Sequence, residues 1–188
     1  MNTCLLVIDV QHSFTQRPFF THTGLAAYLD AQNRLIQGAS RAGLPLIRVL
    51  HQVDTDDPSH PFAPSSGSVR PLLGLDSFDE ALEVRKTRHS ALVDTVLPQW
   101  LQQHGIQRLV ISGIRTEQCC ETTARHASDL GWEIDFVLEA THTWDMVQPD
   151  GQPLRAHEIK QRTATVLQER FARICSVEQA LQRAAQAG

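Results

Sequence analysis

The chain has 188 residues, of which 41% are hydrophobic and 20% are charged, a composition typical of a folded globular protein and not of a disordered or collagen-like one. Its formal net charge is −4 and it has no run of Lys or Arg, so we expect no nucleic acid and no membrane as partner. The length predicts a single domain over residues 1–188, with a small-molecule substrate as its partner.

Cysteine usage and the N-terminal residues indicate a cytoplasmic protein. An apolar run begins at Cys4 without a basic leader before it, so we expect no secretory signal. No stretch approaches the roughly 18 to 20 apolar residues that span a bilayer. The four cysteines, Cys4, Cys119, Cys120 and Cys175, form no Cys-x-x-Cys pair, which favours free thiols over a zinc site or a disulfide framework.

The first half of the chain reads as strand, helix, strand and a long loop. Residues 4–10 are a continuous apolar run, typical of a strand that is covered on both faces. Apolar side chains recur at helical spacing from Leu25 and predict a helix that stops at Gly43. Residues 45–50 predict a second strand. Residues 51–77 are aperiodic and rich in Pro, Ser, Gly and Asp, and a loop of that length is often functional.

The second half continues the alternation of strands and helices. Further strands are predicted at residues 82–86, 106–112, 132–138 and 171–175. Further helices are predicted at 119–130, at 153–170 and from Val177. One more helix is predicted between the strands at 82–86 and 106–112, with the core face Leu97, Trp100, Leu101 and His104. This alternation predicts an α/β fold with three α-β-α layers and a mostly parallel six-stranded, Rossmann-like sheet. A dinucleotide enzyme is disfavoured, because no Gly-x-Gly-x-x-Gly follows the first strand.

Three reactive residues follow predicted strands at the same edge of the sheet. Asp9 follows the first strand, Lys86 the third, and Cys119 comes just after the fourth at the start of a helix. Ligands of open α/β sheets bind at this edge. A thiol at a helix N-terminus has its thiolate stabilised by the backbone N–H groups and the dipole, so Cys119 is a candidate nucleophile.

Each of these residues alone also has an ordinary explanation. Asp9 would serve as a turn or cap residue and Lys86 as a solvated surface lysine. A lone cysteine is usually a small buried hydrophobe, which suits Cys4, Cys175 and Cys120, the last pointing about 100 degrees around the helix from Cys119. The prediction of a site therefore depends on the three residues together.

Three segments carry a family resemblance in chain order: VIDVQHSF at 7–14, KTRHSAL at 86–92 and SGIRTEQCCETTA at 112–124. Together they resemble the isochorismatase-like cysteine hydrolases, which include nicotinamidases, carbamoylsarcosine amidases and biuret-type amidohydrolases. The block of strand, Gly-x-x-Thr-x-x-Cys and helix is the most specific part, and the match runs along nearly the whole chain. The resemblance implies hydrolysis of a C–N bond in a small amide, carbamoyl or ureido substrate.

The resemblance also implies roles for the three residues. Asp9 would act as general base, Lys86 would balance the charge of the site, and Cys119 would attack the carbonyl and form a thioester that water resolves. A cis peptide bond is implied between Ile114 and Arg115. It would direct the backbone N–H groups of Arg115 and Cys119 at the developing oxyanion.

Residues around the implied triad are candidates for substrate binding. Gln11 and Phe14 follow Asp9, where the family lines its pocket, and Phe14 would either stack on a planar substrate or pin its loop to the core. Arg115 departs from the small or apolar residue frequent at its position, and it would bind a substrate carboxylate, contact a neighbouring subunit or lie on the surface. Family members commonly assemble as dimers or tetramers, so we expect a homodimer or homotetramer.

We expect no metal and no cofactor. Nicotinamidases of this family hold a metal with an Asp-x-His pair and a further His after the second strand, whereas here His51, Gln52, Val53 and Asp54 stand in another order and His60 lies farther on. Two alternatives to the amidohydrolase stay open: an isochorismatase-type vinyl-ether hydrolase, which needs an acid but no thiol, and a non-catalytic metabolite-binding protein of the same fold. The presence of Cys119 argues against the vinyl-ether hydrolase, whereas the long loop at 51–77 would suit the binding protein.

Overall fold

The computed structural model of the protein describes residues 2–186. Its strands are β1 (Thr3–Ile8), β2 (Leu46–His51), β3 (Leu82–Lys86), β4 (Arg108–Ile114), β5 (Glu133–His142), β6 (Met146–Val147), β7 (Pro153–Leu154) and β8 (Arg173–Cys175). Its α-helices are α1 (Leu25–Arg41), α2 (Leu97–Gln103), α3 (Glu121–Asp129), α4 (Ala156–Leu167) and α5 (Val177–Ala185). No helix within the described residues is long and apolar enough to cross a membrane.

Six strands form one parallel sheet in the order β3-β2-β1-β4-β5-β8. Helices α1 and α5 pack on one face of the sheet, and α2, α3 and α4 on the other. The predicted three-layer α/β fold with a six-stranded parallel sheet is therefore confirmed. The short strands β6 and β7 form a separate antiparallel hairpin.

Strand β1 shows why its sequence folds as a central strand. All six of its residues are buried, with Leu5 and Val7 facing one hydrophobic core and Cys4, Leu6 and Ile8 facing the other. Burial of each aliphatic side chain stabilises the fold by roughly 1.5–3 kcal/mol. A continuous apolar run of this kind has no polar face to turn toward solvent.

The strand order reverses between β1 and β4, which places the ligand crevice of such folds beyond the ends of these two strands. Gly113 lets the two strands approach there. Its φ is +129°, and a Cβ at this position would collide with the backbone carbonyl of Ile8.

Several element boundaries differ from the sequence prediction. The strand β5 runs on to His142, four residues beyond the predicted end, with a register shift between Ile111 and Gly113 of β4. The helix α4 begins at Ala156 rather than near 153, because residues 146–154 form the β6–β7 hairpin. His104, predicted on a core face, is exposed and stacks on Trp100 with ring centroids 3.9 Å apart.

Candidate active site

The structure brings Asp9, Lys86 and Cys119 into direct contact. The Nζ atom of Lys86 lies 2.8 Å from Oδ2 of Asp9 and 3.4 Å from Sγ of Cys119. All three side chains are buried. The three loops that the sequence placed at one sheet edge therefore build one hydrogen-bonded cluster.

Asp9 leaves β1 in an unusual backbone conformation. Its φ is +52°, a left-handed value that is uncommon for residues other than glycine and is often found at functional sites. Its N–H still donates to the carbonyl of Val49, which ties the turn to β2. The Oδ1 atom is buried and has no hydrogen-bond partner within residues 2–186. One carboxylate oxygen is thus held by Lys86 while the other is free to accept a proton.

Lys86 is a buried residue rather than the solvated surface lysine of the alternative interpretation. Its ammonium donates to Asp9, to Cys119 and to the carbonyl of Arg88 at 3.1 Å. Burial by itself lowers the pKa of Lys86, but the charge of Asp9 and the hydrogen bonds with Asp9 and Cys119 raise it by more, so the net pKa is raised. The ammonium therefore stays charged at neutral pH.

Cys119 lies in a π-helical turn, Thr116–Cys120, that precedes α3. Burial raises the pKa of its thiol well above the usual range, and Asp9 raises it further, against the opposing effect of Lys86. Burial opposes the stabilisation of a thiolate that the sequence predicts for a helix N-terminus. A base therefore has to take the proton before the sulfur can attack, which is the role that the resemblance implies for Asp9.

Arg115 precedes the π turn and joins it to β4. The peptide bond between Ile114 and Arg115 is cis, at the position that the family resemblance implies. In the part of the chain that the structure describes, the backbone N–H of Arg115 donates to no protein acceptor. This donor is available to a ligand in the crevice.

The side chain of Arg115 is buried, so its interpretation as a surface arginine is wrong. Its Nε donates to Oγ1 of Thr143 at 3.2 Å and lies 3.1 Å from Oε1 of Glu117. The guanidinium carbon lies 5.0 Å from the ring centroid of Phe19. Because Nε carries one hydrogen, the contact with Glu117 is a charge pairing and not a second hydrogen bond. Binding of a substrate carboxylate by Arg115 stays a prediction.

Gln11 connects the loop after β1 to the end of β2. Its Oε1 accepts from the N–H of His51 at 2.8 Å, and its Nε2 donates to the carbonyl of His51 and to Oγ of Ser13, both at 2.9 Å. These bonds give Gln11 a structural role in joining the loop after β1 to β2. A contact between Gln11 and a substrate stays a prediction.

Phe14 lies in an aromatic cluster within the hydrophobic core on the α1 face of the sheet. Its ring centroid is 5.2 Å from that of Phe62, which the long loop supplies, and 5.7 Å from that of Trp144, which follows β5. Trp144 also packs on Phe19 and Phe20. Phe14 thus pins its loop to the core, as one of the two interpretations had it, and stacking on a substrate stays a prediction.

The two histidines considered for a metal both lie against the ring of Phe62. The ring centroids are 5.6 Å apart for His51 and 6.2 Å for His60. Across residues 2–186, no group of three or more His, Cys, Asp or Glu side chains is arranged to hold a metal ion.

Comparison with known proteins decides the family of this chain. The model of the isochorismatase domain matches residues 3–171. The chain belongs to the isochorismatase family of hydrolases.

Individual isochorismatase-family relatives span most of the chain. The Bacillus subtilis isochorismatase family protein YrdC is 24% identical over 175 residues, which cover 93% of this chain and 92% of YrdC. Streptothricin hydrolase of Streptomyces noursei is 30% identical over 142 residues, which cover 76% of this chain and 50% of that protein. Among solved structures, an isochorismatase from Pseudomonas putida KT2440 matches with a TM-score of 0.80 and 26% identity, over 94% of this chain and 89% of the other.

Two features of this isochorismatase-family site were missed by the sequence analysis. Trp144 was not singled out, although a tryptophan just after a strand at the ligand edge of the sheet is a usable signal. The sequence also gave no sign that the thiol of Cys119 would be buried away from the large cavities. Cys119 lines neither of two large cavities, of about 820 Å³ between β8 and α5 and of about 850 Å³ between α1 and α4. The sulfur therefore opens to neither of these two cavities.

Proposed function

We propose that this chain is a cysteine amidohydrolase that cleaves the C–N bond of a small amide, carbamoyl or ureido substrate through Cys119. The observation that carries the proposal is the position of Nζ of Lys86, 2.8 Å from Oδ2 of Asp9 and 3.4 Å from Sγ of Cys119. Thioester catalysis requires a nucleophile with a base beside it. Here Cys119 would be the nucleophile and Asp9 the base, and the charge of Lys86 holds the two together.

Activation of the thiol begins the proposed reaction. Asp9 takes the proton of Cys119 through Oδ1, the oxygen without a partner among the described residues. The ammonium of Lys86 already donates toward Sγ and compensates the negative charge that develops there. The sulfur then attacks the carbonyl carbon of the substrate.

The tetrahedral intermediate carries its charge on the former carbonyl oxygen. The backbone N–H groups of Arg115 and Cys119 are the proposed donors to that oxygen, and the donor of Arg115 has no other acceptor within residues 2–186. Loss of one such donor costs about 2.7–4 kcal/mol of transition-state stabilisation in comparable sites. Asp9 then passes its proton to the departing amine, and water hydrolyses the thioester.

An aromatic ring close to the triad supports a small, flat substrate. Phe62 packs on His51, which is the register partner of Lys86 in the sheet. Gln11, Phe14 and Arg115 are the side chains that we propose for substrate contact. A relative named streptothricin hydrolase supports a hydrolytic reaction, and the substrate of this chain is proposed only as a class.

Release of ammonia from a panel of primary amides, ureas and carbamoyl compounds tests the proposal. We expect turnover of at least one compound, loss of turnover in Cys119→Ala, and full turnover in the matched control Cys175→Ala, which removes a buried thiol outside the site. Ammonia release that survives in Cys119→Ala would contradict the role of Cys119 as nucleophile. Absence of turnover of every compound in the panel would favour the metabolite-binding protein or the vinyl-ether hydrolase over the amidohydrolase.

We also propose that the chain forms a homodimer or homotetramer, as the family resemblance implies. Light scattering coupled to size-exclusion chromatography measures the mass in solution. A mass of about one chain at micromolar concentration would contradict this.

A further inference from the structure

His51 stands beside the Asp9–Lys86 pair, although the reaction described above does not use it. In the parallel ladder of β2 and β3, His51 is the register partner of Lys86. Ile47 and Val49 precede it at alternate positions, and both belong to the hydrophobic core on the face of Cys119. Alternate residues of a strand project from one face, so the imidazole of His51 projects toward the site.

The surroundings of His51 hold it in place. Gln11 accepts a hydrogen bond from its N–H and donates one to its carbonyl, at 2.8 and 2.9 Å. Its ring packs edge-on against Phe62 and lies 6.5 Å from the ring centroid of His89. The bonds with Gln11 hold the backbone at the end of β2, and the ring itself packs on Phe62.

One ring nitrogen of His51 has no hydrogen-bond partner. Its Nδ1 is buried and unpaired within the described residues, as is Oδ1 of Asp9 in the same site. Buried polar atoms of proteins are nearly always paired, so an orphan acceptor at a crevice indicates a place for a water or ligand donor.

The charge state of His51 suits a proton acceptor. Burial, followed by the charge of Lys86, lowers the pKa of His51 to about 4. The ring is therefore neutral at neutral pH. The carboxylate of Asp9 acts in the opposite sense and would stabilise the imidazolium once it forms.

On the thioester pathway proposed above, we infer that His51 is the general base of the second half-reaction. Nδ1 removes a proton from the water that attacks the thioester carbonyl. A bond forms between the water oxygen and the carbonyl carbon, the bond from that carbon to Sγ breaks, and its electron pair stays on sulfur. The proton then passes from His51 to Sγ, which restores the thiol and the neutral imidazole. Asp9 is left to serve the thiol and the departing amine in the first half-reaction.

Burst kinetics with para-nitrophenyl acetate separate the two half-reactions. The burst of nitrophenolate reports acetylation of Cys119, and the steady phase reports hydrolysis of the acetyl thioester. In His51→Asn, whose amide can still accept a hydrogen bond but cannot act as a base, we expect an unchanged burst. The steady rate should fall by about 10²-fold or more, the usual contribution of a general base, and the acetylated protein should accumulate in intact-mass spectra.

His60→Asn is the matched control, because His60 also packs on Phe62 but lies in the long loop. Both phases should match those of the unaltered protein. A steady rate of His51→Asn equal to that of the unaltered protein would overturn the inference, and so would a parallel fall of burst and steady phases, which indicates a merely structural role. A release of nitrophenolate that persists unchanged in Cys119→Ala would overturn the proposed function and the role of His51 with it.

Discussion

Lys86 and Asp9 form an ion pair of 2.8 Å in which neither side chain is exposed to solvent. Two charges taken out of water attract each other strongly, but each also loses its hydration. The pair is therefore poor evidence of stability by itself and better understood as part of the site. It keeps a charged base and a charged donor next to Cys119.

Removal of one partner of this pair is predicted to destabilise the fold. In Lys86→Met the carboxylate of Asp9 stays buried without its counter-charge, which typically costs about 3–5 kcal/mol of unfolding free energy. The double variant with Asp9→Asn should recover most of this loss, because neither charge then remains. Urea unfolding measures both. Arg85→Ala, on the same strand but with a half-exposed side chain, is the control and should change the free energy by less than about 1 kcal/mol.

Gly113 is predicted to tolerate no side chain. In Gly113→Ala the new Cβ would meet the backbone of Ile8, so β1 and β4 must separate next to the site. Gly131→Ala is the matched control, because Gly131 also has a positive φ, of +96°, but has open space around it. The control should lose about 1–2 kcal/mol from backbone strain alone, and Gly113→Ala clearly more. Equal losses in thermal or urea unfolding would show that the contact with Ile8 does not matter.

The thiol of Cys119 is predicted to be protonated at neutral pH. Its pKa lies above the usual value because of burial and then Asp9, so the folded state favours the neutral form. Alkylation by iodoacetamide, followed by peptide mapping, should therefore rise steadily through the alkaline range without a plateau near neutral pH. The same cysteine in unfolded protein should level off near its ordinary pKa. A neutral plateau in the folded protein would indicate a resting thiolate.

The raised pKa of Cys119 also predicts how the unfolding free energy of the protein depends on pH. Because the pKa of Cys119 is higher in the folded than in the unfolded chain, its contribution to stability is full below the unfolded pKa and is lost as the pH rises above it. The unfolding free energy of the native chain minus that of Cys119→Ala, measured across the alkaline range, should therefore fall as the pH rises. A difference that does not depend on pH would contradict the shift.

The sheet and the placement of the site residues followed from local patterns in the sequence. Apolar runs such as residues 4–8 can only be buried strands, and the sheet-edge rule then brings Asp9, Lys86 and Cys119 together. The left-handed backbone of Asp9 and the orphan nitrogen of His51 have no such local signal, because tertiary contacts impose them.

Other features depend on the balance of opposing effects. The helix N-terminus favours a thiolate at Cys119, whereas the burial of the sulfur, which only the fold shows, raises the pKa of its thiol. The β6–β7 hairpin occupies residues that read as the start of α4, where Pro153 is compatible with either structure. Trp144 packs on rings that lie far from it in the sequence, such as that of Phe14, so local patterns do not predict the contact.

Acid quenching during turnover of an active amide, followed by peptide mass mapping, tests most directly whether Cys119 is the nucleophile. We predict that the acyl part of the substrate is found on the peptide that carries Cys119, and that it is absent from Asp9→Asn, which lacks the base. An active enzyme whose Cys119 never carries the acyl group under these conditions, or one that carries it on another residue, would contradict the account.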